Sequence, residues 1–349
     1  MQLIDQKLLE VFVGEVLKEV GLEDFSLSAV CEGLINASLR GVDSHGVRLL
    51  PHYAESARSG RKNPCPSFLI EKHFSSALAI NADNAFGLAA GRKAVMEGMK
   101  VAAKMGVCIV SVSNSSHPGA MASIVIPAAE AGFCCFGFTN ADALVIPPGG
   151  TRPFFGTNPI CFAAPRRTSA PFCIDMSVSE IPWNQVLLHK INQTSLPSGC
   201  VADQEGSVTI DPAKAASLFG IGNYKGHALA AMVEVLCGVI AGSIFGREIP
   251  AMYQAPMSEG RNLSQCYIIF RPDIAAPLDT YYSTMDRLTE AVQDERVKAN
   301  SGFSKIYLPN DPQIEIENFR RANGIPIDAG TLQSLLDLKK SLSIQADFG

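Results

Sequence analysis

Two histidines of this chain stand where imidazole chemistry is easily done. His45 lies in "DSHG" and His117 in "SNSSHPG", and each follows the end of a regular element inside a loop of small residues. Catalytic groups are disproportionately carried on loops held by a rigid scaffold, and imidazole is the side chain whose ordinary pKa suits proton transfer near neutrality. The same placement also suits a local hydrogen bond to the backbone. The remaining four read differently. His73 and His189 sit beside Lys72 and Lys190 and are expected to be solvated, whereas His52 and His227 fall on helices and read as structural.

Around His45, Ser44 could relay a proton, and Arg48 could offer its planar fork to a carboxylate if it faces the same cavity; alone it also reads as a surface arginine. Asp175 ends the apolar stretch "PFCID", where a charged side chain is costly unless exposed, paired or functional. The run "GNYKG" before a long helix invites a phosphate, with Lys225 adding charge. The glycines from Gly220 follow GxGxxxG, one residue off the dinucleotide fingerprint, and neither GxGxxG nor GxxxxGK[ST] occurs. No HExxH, clustered Cys/His spacing or Asp-rich calcium loop appears, so no metal site is expected.

The elements that must position these groups are legible as patterns. Helices are expected near 3–20 and 26–40, the second stopped at Gly41, and a third near 50–59 with Pro51 in its first turn and Gly60 at its end. "VDSHGVRLLPHY" is therefore an interhelical connection running into a helix start at Pro51, His52 and Tyr53. From "SFLI" and "ALAIN" onward the texture becomes α/β, with "VCIVSVSN", "CCFGFTN" and "QCYIIFRP" as strands. Residues 141–159 have no periodicity and read as a functional loop, and 224–243 as a buried helix. The expected organisation is an N-terminal helical segment (1–70), a central α/β domain (71–275) and a mainly helical C-terminal segment (276–349) packed with the first.

Composition narrows the classes. Apolar residues make up 47% and charged residues 18% of the 349, with a net charge of −5, which argues against a nucleic-acid surface or a polybasic membrane anchor. Glu234 and several glycines interrupt the longest apolar run, so no membrane span is expected. The N-terminus reads as an amphipathic helix and not as a signal peptide, and ten cysteines without a CxxC pair suggest a reducing, cytoplasmic setting.

Taken in order, the motifs resemble the malate/L-lactate dehydrogenase family that is unrelated to the Rossmann-fold lactate dehydrogenases. The matching pieces are "RGVDSHGVRLLPHYAESARSGRKNPCP", "NADNAFG", "VSNSSHPGA", "TNADALVIPPGGTRPFFGTNPICFAAP", "IDMSVSEIPW", "GNYKGHALAAMVEVLCGVIAG" and "EGRNLSQCYI". The resemblance implies a distinctive α/β fold that holds NAD or NADP in a non-Rossmann manner, and a homodimer with active sites near the interface. It implies interconversion of a 2-hydroxy acid (malate, lactate, sulfolactate or ureidoglycolate-like) and its 2-oxo acid. Reduction of a cyclic imine carboxylate is the alternative, and a catalytically silent binding protein on the same scaffold a remoter one.

Carried over by position, Ser44, His45 and His117 correspond to proton-transfer or substrate-binding groups, with Asp175 placed to tune a neighbouring imidazole. Asn140, Asp175, Met176, Ser177, Lys225 and Gly226 correspond to cofactor contacts, and Thr157 and Asn158 to a turn lining the same cavity. Arg48 would bind the substrate carboxylate, although relatives commonly carry that arginine one position later, where this chain has Leu49. "HPG" for "HFG" and Asn184 after the tryptophan alter the pocket lining more than the hydride path. Arg320 and Arg321 read as an ordinary basic helix end more readily than as ligands of a ribose phosphate.

Overall fold

Alternating apolar residues in "VCIVSVSN" turn Cys108, Val110 and Val112 into the core, and the strand they build lies in the middle of a seven-stranded sheet. The computed structural model describes residues 1–348. A short strand, β1 (Gln2–Ile4), precedes helices α1 (Gln6–Glu19), α2 (Asp24–Leu39) and α3 (Leu50–Arg58). Then come β2 (Leu69–Phe74), β3 (Ala77–Asn81), α4 (Gly87–Met105), β4 (Val107–Ser115), α5 (Ala122–Glu130), β5 (Cys134–Thr139), β6 (Ile160–Ala164) and β7 (Phe172–Met176). Helix α6 (Trp183–Ile191) leads to three two-residue strands, β8 (Val201–Ala202), β9 (Val208–Thr209) and β10 (Ser217–Leu218). The chain closes with α7 (Tyr224–Glu234), β11 (Leu263–Phe270), α8 (Leu278–Gln293), α9 (Asp311–Asn323), β12 (Ile325–Ile327) and α10 (Ala329–Ser341).

The large sheet runs β2-β3-β4-β11-β5-β6-β7. Only β3 and β4 are parallel, joined by the crossover helix α4 that such a pair requires; every other neighbouring pair is antiparallel. Strand β11 inserts between β4 and β5 although the chain reaches it last, so "QCYIIF" is covered on both faces and reads as an unbroken apolar run. Helices α4 and α5 cover one face, where Val110, Cys135, Cys161, Tyr267 and Ile269 join the main core with α1 to α3. Val233 and Cys237 cover the other face, packing on Phe138 and Cys266.

Two elements depart from expectation. The first helix starts at Gln6, capped by the Asp5 carboxylate on the N–H groups of Lys7 and Leu8, because residues 2–4 pair with β12 instead. The helix expected to be buried over 224–243 ends as an α-helix at Glu234, widens into a π-turn over Val235–Val239, and leaves Met232, Val235, Val239 and Ile240 exposed. It packs on one sheet face through Val233 and Cys237, so only one stripe of an apolar sequence is covered among the described residues. Among the described residues no helix is long and apolar enough to cross a membrane.

Candidate active site

Gly41, at φ +81°, ends α2, and Asp43–His45 then forms a single tight turn. Gly46 follows because a Cβ there would fall 2.0 Å from Ser38 Oγ, the hydroxyl that accepts the Val47 N–H at 3.0 Å. The turn is thus pressed onto α2, and within it Ser44 Oγ lies 2.8 Å from His45 Nδ1. From outside, Arg320 on α9 donates to both carboxylate oxygens of Asp43, at 2.5 and 3.0 Å, and to the Ser38 carbonyl. Arg321 is taken up by Glu317 and Gln6. Arg320 is therefore a brace on the histidine turn, a role that its position on a basic helix end did not suggest.

His117 stands on the loop after β4. Gly87 lets the start of α4 pack against that loop, since a Cβ would meet Ser116 O at 2.1 Å. The Gly119 N–H donates to His117 Nδ1 at 3.3 Å, and the Tyr53 hydroxyl lies 3.3 Å from the same nitrogen. A backbone N–H can only donate, so Nδ1 carries the lone pair and the proton of the neutral ring resides on Nε2. The His45 and His117 rings stack with centroids 5.4 Å apart and planes 21° from parallel.

The surroundings favour neutral imidazoles. Burial lowers the His45 pKa. His117 lies well below its usual 6.5, through burial first and then through His45, Arg261, Lys62 and His52, charges that oppose an imidazolium. Burial, Lys62, Arg61 and Arg261 push His52 down to about 4. Lys62 itself is buried, packed over the Tyr53 and Phe86 rings. Arg61 donates to the carbonyls of Met252, Ala255, Pro256 and Glu259, and Arg261 pairs with Asp142, so both hold the loop that brings Tyr253 against His52.

The other residues singled out in the sequence fall around this centre. Asp175 Oδ2 accepts the Ala122 N–H at 2.8 Å, which ties the end of β7 to the start of α5 just beyond His117. Protein crowds around this exposed residue, and desolvation raises its carboxyl to about 6 against the pull of the Ala122 N–H, Arg40 and the Met121 N–H. A hydrogen-bonded strip then runs from Ala141 N to Asn158 Oδ1, from Val178 N to Thr157 O, from Ile221 N to Val178 O and from Gly226 N to Ile221 O. Met176, Tyr224 and Lys225 are exposed along it, and the Ser177 hydroxyl meets that of Ser179 at 3.1 Å. The side chains of Asn140 and Asn158 are committed elsewhere: both are fully buried and donate to the buried Glu234 carboxylate, at 3.2 and 2.7 Å, which also accepts the Gly246 N–H. Arg48 is exposed and makes no hydrogen bond or ion pair among the described residues, with Tyr253 and Asp328 within electrostatic reach. Among the described residues no cluster of three or more His, Cys, Asp or Glu could hold a metal ion.

The chain as a whole has counterparts among known proteins. The family model described as malate/L-lactate dehydrogenase matches residues 4–336. The chain belongs to that family. Ureidoglycolate dehydrogenase (NAD(+)) of Escherichia coli K12 is 30% identical over 333 residues, 95% of each chain. The (2R)-3-sulfolactate dehydrogenase (NADP(+)) of Chromohalobacter salexigens is 31% identical over 296 residues, 84% of this chain and 88% of its own. The solved structure of delta1-piperideine-2-carboxylate reductase from Pseudomonas syringae aligns with a TM-score of 0.85 at 27% identity, covering 97% of this chain and 100% of that one.

Membership in the malate/L-lactate dehydrogenase family makes this chain a dehydrogenase of hydroxy acids with a mixed α/β fold. Several residues that shape this region carry little signal in the sequence. Tyr53 read only as part of a helix start, Lys62 and Arg261 only as letters within longer motifs, and Glu234 only as an interruption of an apolar run. Their cost shows only in the fold, where Lys62, Arg261 and Glu234 are 2, 2 and 3% exposed.

Proposed function

We propose that this chain uses NAD or NADP to interconvert a 2-hydroxy acid and its 2-oxo acid by hydride transfer at the His45–His117 pair. The stacking of those two rings carries the reading, because it offers a proton-transfer group beside a second one that differs from it in hydrogen bonding. The residues fit a dinucleotide. Helix α7 begins without a side-chain cap, the Lys225, Gly226 and His227 N–H groups bonding to the carbonyls of Gly222, Ile221 and Asn223; Lys225 stands exposed in its first turn, and the buried Nδ1 of His227 lacks a partner among the described residues. Such a helix start suits a pyrophosphate. Asp175, Met176, Ser177, Thr157 and Gly226 border it on the hydrogen-bonded strip, with Asn140 and Asn158 behind them shaping the wall. The single parallel strand pair supports a non-Rossmann mode of holding it.

When bound, the nicotinamide supplies the hydride in reduction and accepts it in oxidation. The chain's own residues handle the proton and the carboxylate. His117 presents Nε2–H as the one donor of its neutral ring and so polarises the substrate oxygen, while His45, hydrogen-bonded to Ser44, exchanges the proton. Asp175, held on the Ala122 N–H, tunes the electrostatics beside that loop. The carboxylate has two candidate partners: Arg48, exposed and uncommitted, and Arg261, buried within electrostatic reach of His117, whose Nη1 has no hydrogen bond among the described residues.

A homodimer is part of this reading. Val235, Val239 and Ile240 are exposed near the open edge strand β2, where Ile240, Leu69 and Phe74 line a cleft of about 540 Å³, an apolar surface that a second copy would cover. Ten free cysteines suit a reducing cytoplasm.

The imine-reducing alternative is supported by the likeness to delta1-piperideine-2-carboxylate reductase. Following NADH and NADPH consumption side by side with pyruvate, oxaloacetate and a piperideine carboxylate separates the two. Melting shifts with each cofactor identify which one binds. If no 2-oxo acid and no cyclic imine consumes either cofactor, the reading fails.

A further inference from the structure

Lys62 has no task in the reaction sketched above. Its Nζ makes no hydrogen bond among the described residues and lies 3.8 Å from the centre of the Tyr53 ring and 4.7 Å from that of Phe86. The charged groups that act on it are Arg261 and Arg61, both positive, and Asp142, the acid of this corner, is committed to Arg261 and to the Met252 N–H. A methionine would fill the same space without burying an amine among cations. Architecture alone therefore favours an apolar residue here.

The Tyr53 ring gives the amine a use. Lys62 sits on its face and Phe86 against its edge, with ring centroids 5.6 Å apart at 64°. The hydroxyl at its far end lies 3.3 Å from His117 Nδ1 and 3.4 Å from His117 O. The other titratable groups acting on His117 are His45 from the turn after α2, His52 from α3 and Arg261 before β11, all bases.

We propose that Lys62 is a positioning residue for proton transfer: seated on the Tyr53 ring, it holds the hydroxyl against His117 Nδ1 and keeps the imidazole uncharged between turnovers. The inference rests on His45 and His117 being the proton-transfer pair. Lys62 lies well below its ordinary range through burial, Arg261 and Arg61, and its charge is among those that lower His117.

Lys62→Met removes the amine and keeps the length, and is tested in the full chain with whichever substrate it turns over. The expected result is kcat/KM about tenfold lower near neutrality, with its acid limb moved up by about half a pH unit or more and a Tm that does not fall. Tyr53→Phe keeps the ring beneath the amine and removes only the hydroxyl shared between His117 Nδ1 and the His117 carbonyl. It should move the same limb in the same direction, and the double variant should move it no further than the larger single change. An unmoved limb in Tyr53→Phe, or in a folded Lys62→Met, overturns the proposal. If the unaltered protein turns over neither 2-oxo acids nor cyclic imines, the reading of the pair falls and this inference with it. Turnover with an unmoved limb defeats the role of Lys62 alone.

Discussion

The His45 and His117 rings, brought from a turn between helices and from the end of a strand, stack at 5.4 Å and 21°. Two imidazoles this close do not both carry charge cheaply, so protonating one disfavours protonating the other. Their hydrogen bonds differ: Ser44 Oγ meets His45 Nδ1, while His117 Nδ1 receives the Gly119 N–H.

His45→Ala and His117→Ala are each expected to lower kcat/KM by about 10²-fold or more, and the double variant by much less than the product of the two. Steady-state kinetics of the three variants check this. Near-normal rates in both single variants would remove proton transfer from the pair.

Arg320 joins α9 to the histidine turn through Asp43 and the Ser38 carbonyl. Arg320→Gln is expected to lower kcat about tenfold with little change in KM, because it loosens the turn without touching the carboxylate site. A rise in KM for the reduced cofactor with kcat intact would instead make Arg320 a cofactor ligand.

Acid should destabilise the fold through its histidines. His52 titrates at about 4 in the native state against 6.5 unfolded, so between those values the unfolded chain holds a proton that the native one refuses. Stability is lost as pH falls through that window, and His45 and His117, also lowered, act in the same direction. Asp175 opposes them: raised to about 6 from 3.8, its native carboxyl takes up a proton first, and its contribution favours the fold as pH falls from 6 to 3.8. Asp175→Asn is therefore expected to steepen the loss of stability between about pH 7 and about pH 5, read from urea midpoints. An unchanged slope would show a carboxyl that titrates natively as it does unfolded, and a shallower loss one held below its unfolded value.

The two candidate carboxylate anchors differ in burial, and that should separate them. Arg261→Lys, which keeps a cation but loses the planar fork, is expected to raise KM for the acid substrate about tenfold. Arg48→Ala should raise it less, since the exposed side chain already competes with water. Initial rates against substrate concentration decide, and the reverse ranking would return the anchor to Arg48.

What could be read in the chain beforehand was local. Gly41 and Pro51 framed the histidine turn, the pattern of "VCIVSVSN" located His117 at a strand end, and Asp175 betrayed itself as a charge closing an apolar strand. What could not be read depends on contacts between distant segments. β11 enters the middle of the sheet from far along the chain, β1 is drawn into a strand by β12, and Arg320 reaches Asp43 across the fold. Tyr53 and Lys62 gain meaning only once α3 lies beneath the His117 loop. The 224–243 stretch misled because an apolar sequence does not say how many of its sides will be covered.

The measurement that tests hydride transfer at this site most directly follows the hydrogen itself. The reduced cofactor, carrying deuterium at the transferring position of its nicotinamide, is incubated with the enzyme and a 2-oxo acid or cyclic imine carboxylate that it consumes, and the product is examined by NMR. The expected result is one deuterium at C2 of the hydroxy or amino acid product, formed far more slowly by His45→Ala and His117→Ala. Product without deuterium at C2, or equal rates in the unaltered protein and both variants, would contradict it.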